Sequence, residues 1–334
     1  MVKPKKRSSE KSSNLLAALQ FTKLVTKDEG APYDTHVRLL NHTAIASNGI
    51  LSCGIKIEED LNCAPDNYLI AQALSKCGDS FSITHLSNER LSIKGSKFKA
   101  IVPCIDLTLL NPAAPDPPIA VLSDPFRNAL TAVAPLTSEG SQTVVGASIL
   151  MAGASLIATD RHVVIEYWHG TDLPTGIALP KAFAVALSKV LKPLARFGFS
   201  NSSVTVYFDD DSWLKSQIYC EPWPDVKSIL DRKCNPWPVP NDFWKAFDAV
   251  ELFSESGDIY FGTSVIRSHN SEAIGASHEC FGIPEGPIVS IRQLQLIRPY
   301  VKQIDFQAPG VYNSSTMIMF YGENIRGAIA GKSK

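Results

Sequence analysis

The sequence lacks any paired-cysteine motif. Its seven cysteines are odd in number, are scattered between Cys53 and Cys280, and show no CxxC spacing. Disulfide-stapled domains and structural zinc sites both need cysteine sets at short or regular spacings. The sequence therefore predicts neither, and free thiols favour a reducing, intracellular setting.

Three other features are missing. The longest weakly polar stretch, residues 144–158, is too short and too rich in glycine, serine and alanine to span a bilayer. No apolar segment follows the basic N-terminus, so we expect no secretory signal. No glycine-rich phosphate loop occurs, so we expect neither ATP use nor another cofactor.

Charge of one sign is not in excess either. The chain has 32 basic and 33 acidic residues, a formal net charge of −1, and an ordinary globular composition with 45% hydrophobic residues. Bulk charge therefore does not indicate a nucleic-acid binder, although a basic face can balance an acidic one. The basic run in residues 1–7 is interpreted as a solvated tail, with a phosphate-binding arm or a localisation signal as alternatives.

What the chain does contain is one supersecondary pattern that runs three times, over residues 42–104, 146–220 and 249–331. Each copy is predicted as strand, glycine turn, two strands, helix and strand hairpin. The turn glycines are Gly49, Gly153 and Gly257, and the helices open near Asp66, Lys181 and Ser290. Repeats of this length are whole domains rather than solenoid units. Alternating strands and paired helices predict an α+β fold.

Proline-rich joins at residues 111–118 and 235–240 separate the copies. The predicted organisation is a disordered basic tail over 1–12 and domains over 13–113, 119–231 and 235–334. Six helices are predicted, over residues 15–26, 67–76, 124–134, 182–191, 242–249 and 291–302. A strand is expected over 144–151, and Asp160 and His162 are expected to share one face of another strand.

Three segments carry a family resemblance. Residues 156–164 read Leu-Ile-Ala-Thr-Asp-Arg-His-Val-Val, similar to the Ala-Thr-Asp-Gly-His-Arg-Leu segment in the second domain of bacterial DNA polymerase III β subunits. Leu-Pro-Lys at 179–181 also matches, and Pro-Trp-Pro-Asp-Val-Lys-Ser-Ile-Leu at 222–230 is similar to the family's Phe-Pro-Asp-Tyr-Arg-Arg-Val-Leu. In this order on a three-copy chain, over residues 14–331, they resemble a divergent sliding clamp, of the kind a phage might encode.

This resemblance implies three repeated DNA-clamp domains, each with two helices on antiparallel sheets, and a homodimer that closes a six-domain ring around duplex DNA. It implies a non-catalytic, cytoplasmic processivity factor, acting at the nucleoid or in a phage's host. Duplex DNA would be held independently of sequence by basic side chains on or just beyond the helices. The candidates are Lys23, Lys27, Lys76, Arg127, Lys189, Lys192, Arg196, Lys245, Arg292, Arg298 and Lys302.

The resemblance also implies an apolar groove that holds short peptide motifs of DNA polymerase and the clamp loader. The matching positions are Val145, Thr159, His162, Val164, Pro224, Ile229, Ala328, Ile329 and Ala330. This sequence departs from the family at Arg161 (family Gly), Val163 (Arg), Ser228 (Arg) and Gly331 (Pro), and no strand is evident before the first helix. Different partners are therefore expected.

Two alternatives to a clamp remain. Asp160 and His162, with the run Asp209 to Asp211, suggest a metal-dependent hydrolase, since clustered carboxylates suit Mg²⁺ or Ca²⁺. Aspartates are also favoured in hairpin turns for local reasons, and no nucleophile accompanies the pair. The second alternative is a structural β-rich phage protein. The clamp interpretation predicts no metal site.

Overall fold

The computed structural model describes residues 14–78, 80–87, 89–110, 113–271, 273–310 and 316–332. The predicted basic tail lies outside these residues. The chain forms two compact units, the first from the described part of Met1–Asp124 with Ala182–Ile218, the second from Pro125–Lys181 with the described part of Tyr219–Lys334. Among the described residues no helix is long and apolar enough to cross a membrane.

Each third of the chain shares one core succession of a helix, four strands, a second helix and three strands, to which short elements that differ between the repeats are added. Repeat 1 contains α1 Leu15–Thr22, α2 Pro32–Thr35, β1 Arg38–Leu40, β2 Thr43–Ser47, β3 Leu51–Lys56, β4 Asn62–Pro65, α3 Asn67–Cys77, β5 Ser82–Ser87, β6 Arg90–Lys94 and β7 Lys99–Ile105. Repeat 2 contains β8 Pro118–Val121, α4 Asp124–Val133, α5 Val144–Ala147, β9 Ser148–Met151, β10 Ser155–Thr159, β11 Val163–Trp168, β12 Ile177–Pro180, α6 Lys181–Ser188, β13 Leu194–Phe199, β14 Ser203–Phe208 and β15 Trp213–Gln217. Repeat 3 contains α7 Lys227–Leu230, β16 Trp237–Pro238, α8 Phe243–Glu251, β17 Asp258–Gly262, β18 Val265–Arg267, β19 Ser277–Glu279, β20 Val289–Ser290, α9 Ile291–Ile297, β21 Gln303–Pro309, β22 Thr316–Tyr321 and β23 Ile325–Ala330.

The sheets repeat as closely as the element order does. The first sheet of each repeat has its fourth strand beside its first, in the orders β3-β2-β1-β4, β11-β10-β9-β12 and β19-β18-β17-β20. The second sheet is a three-stranded meander, β5-β6-β7, β13-β14-β15 and β21-β22-β23, and β8 and β16 join the last two as a fourth strand. Every pairing is antiparallel. The predicted α+β fold with a threefold repeat is confirmed.

Two seams join successive repeats into larger sheets. β3 of repeat 1 pairs with β15 of repeat 2, which completes an 11-stranded sheet in the first unit. β11 of repeat 2 pairs with β23 of repeat 3, which completes an 8-stranded sheet in the second unit. Repeat 2 therefore contributes one sheet to each unit. The domain boundaries read from the proline-rich joins stay a prediction.

Local sequence explains the two helices with the clearest caps. The Asp66 carboxylate accepts a hydrogen bond from the Leu69 amide at 2.8 Å, and Gly78 with φ 69° follows the end of α3. Ser290 and Gln293 form a reciprocal capping box at the start of α9. In repeat 1, α1 and α3 bury apolar side chains in one core with both sheets. All six predicted helices are present, with α1, α6 and α9 ending earlier than expected.

The structure corrects the sequence interpretation in several places. Residues 144–147 form a helical turn rather than the start of a strand, because the Thr143 hydroxyl caps it at the Gly146 amide, 3.4 Å away. The three glycines do not occupy equivalent turns: Gly49 lies between the second and third strands of its sheet, Gly153 between the first and second, and Gly257 before the first. Five strands were not predicted: the short strands β4, β12, β16 and β20, and the six-residue β13.

Candidate functional site

The segment with the strongest family resemblance forms a turn between β10 and β11. The Asp160 carboxylate accepts hydrogen bonds from the amides of His162 at 2.9 Å and Val163 at 2.7 Å. Arg161 has φ 76°, in the left-handed region that favours glycine. The expectation that Asp160 and His162 share a strand face is wrong, because the aspartate closes a local turn instead.

The β11–β23 seam brings this turn to the last strand of the chain. Val164 pairs with Ala328 and Val163 with Ile329, and the Ala330 amide donates to the His162 carbonyl at 2.7 Å. Side chains alternate between faces along a strand, so Val164 and Ala328 share one face while Ile329 points to the other. The seam therefore places residues far apart in sequence on one surface.

Helix α7 covers part of that surface and completes an apolar cluster. The cluster joins three predicted groove residues, Val164, Ile229 and Ala328. Sequence reasoning missed its other members, Leu150, Ala152, Ile157, Trp223, Val226, Leu230, Cys234, Ala308, Met317, Met319 and Tyr321. The alternation of Met317, Met319 and Tyr321 along β22 was the one signal that could have identified some of them.

The remaining predicted groove positions are not members of this cluster. Val145 is half-buried on α5, and Thr159 is buried, with its hydroxyl donating to the Val163 carbonyl at 2.6 Å. His162, Pro224 and Ala330 are exposed. Ile329 is fully buried and is not part of the cluster.

Two polar contacts hold the cluster's edge. The Trp223 indole nitrogen donates to the Ser148 hydroxyl at 3.1 Å, which fixes the chain just before α7. Arg161 Nη2 donates a 3.0 Å hydrogen bond to the Thr143 hydroxyl, which ties the β10–β11 turn to the start of α5. Burial, then a contact with the Cys234 thiol at 3.0 Å, raises the pKa of Tyr321 to about 12, so this phenol stays neutral.

A buried ion pair anchors α7 to the seam. Glu166 is 3% exposed and accepts hydrogen bonds from the Ser155 hydroxyl and from Arg326 Nε, both at 2.7 Å. Arg326 also contacts Asp231 at 2.9 Å and donates to the Leu230 carbonyl at 3.3 Å, at the end of α7. Burial opposes the charge on Arg326, but the two carboxylates keep its pKa above the ordinary value.

The predicted basic residues fall into two groups. In the first, carboxylates pair with the cations Lys27 (Asp34), Lys192 (Asp210), Arg196 (Asp211), Arg298 (Asp248) and Lys302 (Glu323). Arg196 lies on strand β13 rather than on or just beyond a helix. The contact with Arg298 at 2.5 Å holds the pKa of Asp248 below its usual range.

The second group is distributed over all six long helices. Lys76, Lys245 and Arg292 are exposed on α3, α8 and α9, Lys189 is exposed just past α6, and none of the four has an ion pair within the described parts of the chain. Lys23 is exposed just past α1, 4.7 Å above the Tyr68 ring. Arg127 is half-buried on α4.

The carboxylates of the hydrolase alternative have other partners. Asp210 contacts Lys192 at 2.6 Å and caps the Ser212 amide at 3.0 Å, and Asp211 contacts Arg196 at 2.6 Å. Across the described residues, no group of three or more His, Cys, Asp or Glu side chains is placed to hold a metal ion. The acidic run is a hairpin turn, and the hydrolase alternative has no support in this geometry.

Comparison with known proteins shows which fold this chain has. No family model and no curated protein matches this sequence. A Helicobacter pylori β clamp bound to a DNA ligase peptide superposes with a TM-score of 0.77 at 15% identity, over 96% of this chain and 98% of that one. The chain has the fold of a bacterial β sliding clamp.

Two further clamps show the same likeness. A Pseudomonas aeruginosa sliding clamp bound to griselimycin has a TM-score of 0.76 at 12% identity, covering 96% of this chain and 97% of that chain. A putative DNA polymerase III β subunit from Eubacterium rectale has a TM-score of 0.77 at 10% identity, covering 96% of both chains. Within this clamp fold, the residue that replaces the family's glycine, Arg161, still adopts the conformation that a glycine prefers.

Proposed function

We propose that this chain is a DNA sliding clamp: a non-catalytic processivity factor whose head-to-tail homodimer encircles duplex DNA. The observation that carries the proposal is a pairing rule between repeats. At each internal seam, the third strand of one repeat's first sheet pairs with the third strand of the next repeat's second sheet, as β3 does with β15 and β11 with β23.

By the same rule, one strand edge in the first repeat and one in the last repeat have no neighbouring repeat to pair with. Within every repeat, one antiparallel residue pair joins the fourth strand of the first sheet to the last strand of the second sheet, in or just beyond those strands. These pairs are Pro65 with Cys104, Ala178 with Tyr219, and Ile288 with Lys332. In repeats 2 and 3, the last-strand residues before this pair are bonded to the preceding repeat. In repeat 1 their counterparts, at the start of β7, pair only with β6 among the described residues.

The opposite end carries the complementary edge. β19 pairs with β18 alone among the described strands, although its counterparts β3 and β11 each pair on both sides. Ile101 on β7 is 48% exposed, and Phe281 just past β19 is 76% exposed. An unpaired edge with exposed apolar side chains is a template for another strand. β19 of one copy is therefore expected to pair with β7 of a second, and a reciprocal contact closes six repeats into a ring.

Such a ring would be lined by twelve long helices, six from each copy. The basic residues on or just past them, Lys23, Lys76, Arg127, Lys189, Lys245 and Arg292, supply one cation per helix. Attraction to phosphates without base contacts suits a protein that must slide. A tethered polymerase then stays near its template at high effective concentration.

The apolar cluster at the β11–β23 seam is proposed to bind short peptide motifs of DNA polymerase and the clamp loader. A related H. pylori clamp was solved with a DNA ligase peptide. Support comes from partly buried side chains, among them Ile229, Leu150 and Trp223, which pack against the buried apolar residues of this cluster. Apolar pockets that anchor alternate side chains are the usual means of recognising an extended peptide.

A topological assay tests the ring. The protein is loaded onto nicked circular DNA with a clamp loader, moved to high salt, and the DNA is then linearised. A clamp stays on the circle and leaves the linear DNA, because salt weakens phosphate contacts but cannot open a ring. Equal retention on both forms, or no retention on the circle after loading, would contradict the proposal. A chain with Lys76, Lys189, Lys245 and Arg292 changed to Gln should still be retained on the circle while binding linear DNA more weakly at low salt.

A further inference from the structure

The first unit contains a pocket of about 200 Å³ that the proposed function does not use. Its wall comes from α2, the first two strands of repeat 1 and the short helical segment Leu107–Leu109 that follows β7. The side chains that matter to its chemistry are Tyr33, His36, Arg38, Ile45, Leu109 and Leu110.

This pocket occupies the same place in repeat 1 as the apolar cluster does in repeat 2. Arg38 pairs with Ile45 across β1 and β2, as Leu150 pairs with Ile157 across β9 and β10. Tyr33 on α2 lies five residues before Arg38, as Val145 on α5 lies five residues before Leu150, so Tyr33 corresponds to Val145.

The turns that border the two sites have the same hydrogen bonds. The Asn48 side-chain oxygen accepts from the amides of Ile50 at 3.1 Å and Leu51 at 2.8 Å, as Asp160 does in the other turn. Gly49 has φ 86°, and Arg161 has φ 76°. The Gln217 amide donates to the Ile50 carbonyl at 2.8 Å, which repeats the bond from Ala330 to His162.

We propose that this pocket is a second peptide-binding site, which takes an extended segment of a partner protein with a carboxylate beside one or two apolar side chains. The inference rests on the proposed peptide-binding function of the β11–β23 seam, whose backbone it shares. Its chemistry differs, because the two seams carry different side chains at corresponding positions.

The carboxylate is specified by Arg38. Where the other site has Leu150, this pocket has a half-buried guanidinium whose hydrogen bond is to the Leu110 carbonyl at 3.5 Å, and Arg38 has no ion pair with any residue that the structure describes. A guanidinium in a partly apolar wall favours a carboxylate, which it can bind through two parallel hydrogen bonds.

The apolar part of the segment is specified by side chains that are exposed at the pocket. Tyr33 is 56% exposed and Leu109 is 63% exposed, and half-buried Ile45 lies in the wall. An exposed aromatic and an exposed leucine beside a pocket provide anchors that gain free energy when a partner covers them. The other seam has smaller or more buried counterparts, since Val145 is half-buried.

The test selects displayed random heptapeptides against the full chain and measures the enriched peptides by fluorescence anisotropy. Peptides of the second site should contain Asp or Glu next to apolar residues. Arg38→Glu should weaken them by about tenfold or more, as expected for loss of a charge-assisted hydrogen bond, and Arg38→Lys should retain part of the affinity. Tyr33→Ser should weaken the same peptides, and because Tyr33 is exposed this variant should fold even if Arg38→Glu does not.

Two controls separate this inference from the proposed function. Ile119→Ser changes an equally exposed apolar residue elsewhere in the first unit and should leave binding unchanged. Val145→Ser changes the counterpart of Tyr33 and should weaken only peptides of the β11–β23 site. Peptides that all depend on Val145 and none on Arg38 or Tyr33 would overturn the second site and leave the proposed function intact. Peptides that all depend on Arg38 and Tyr33 and none on Val145 would support the second site and contradict the proposed groove at the β11–β23 seam.

Discussion

The left-handed turn residue offers a quantitative test of the correspondence between repeats. Gly49 and Arg161 occupy equivalent turns at φ 86° and 76°. A non-glycine residue in this conformation is less stable than glycine by roughly 1–2 kcal/mol before unfolded-state effects, and glycine loses about 0.5–1 kcal/mol of that advantage through its flexible unfolded chain. We therefore expect Gly49→Ala to destabilise the protein by about 1 kcal/mol. A Cβ added at Gly49 meets nothing within 4 Å, so strain in φ is the only native-state cost.

At the other turn the comparison is between two variants. Arg161→Ala keeps the strain and loses the 3.0 Å hydrogen bond to Thr143, which costs about 0.5–1.5 kcal/mol. Arg161→Gly loses the same bond but relieves the strain. The Gly variant should therefore exceed the Ala variant in stability by about 1 kcal/mol, and should lie close to the natural protein.

The measurement is urea unfolding of all three variants, with free energies compared at equal m-values. Both glycine–alanine differences report the same backbone preference, so they should agree within about 0.5 kcal/mol. A clear cost for Gly49→Ala with no gap between the two Arg161 variants would refute the reasoning, because the Asp160 turn would then not hold residue 161 in the left-handed region.

Three further predictions follow from single contacts. Ile101→Lys should weaken homodimer formation at least about tenfold in sedimentation equilibrium by placing a desolvated charge on the proposed β7 edge, whereas Ile119→Lys on the β8 edge should not. Arg326→Met leaves the Glu166 carboxylate buried without its cation and should cost about 3–5 kcal/mol in urea unfolding; adding Glu166→Gln should restore much of it, and equal stability of single and double variants would contradict the pair's role. Burial lowers the pKa of His169 to about 4 from 6.5. The free energy of unfolding should therefore be at its full value above pH 6.5 and fall by on the order of 3 kcal/mol towards pH 4, because the unfolded chain takes up the proton first. His169→Gln should flatten this pH dependence.

Local signals were enough to predict most helices of the fold. Asp66 and Gly78 mark both ends of α3, and Ser290 marks the start of α9, because capping side chains and a left-handed glycine act within a few residues. The short strands β4, β12, β16 and β20 escaped detection because two to four residues carry too little periodicity, and β13 escaped it because its buried residues do not alternate along the strand. Val144 and Val145 favour a strand by propensity, but the Thr143 cap turns them into a helix.

The candidate site was only partly predictable. Family resemblance identified Val164 and Ala328, which a strand pairing of distant segments brings together. It could not show that Ile329 points away from them or that Met317 and Met319 complete the cluster, since these depend on which face of a sheet is covered. Arg326 was missed because its partners Glu166 and Asp231 come from two other elements.

The two internal seams show how one backbone can present two chemistries. At the seam of repeats 2 and 3, Ala328 and Ala330 border an apolar cluster. At the seam of repeats 1 and 2, Lys215 and Gln217 hold the corresponding positions, and Arg38 takes the place of a leucine. Side chains two residues apart on a strand share one face, so substitution of such a pair changes the charge of that surface without disturbing the backbone hydrogen bonds beneath it. A threefold repeat of this kind can therefore bind partners of different composition at its two seams.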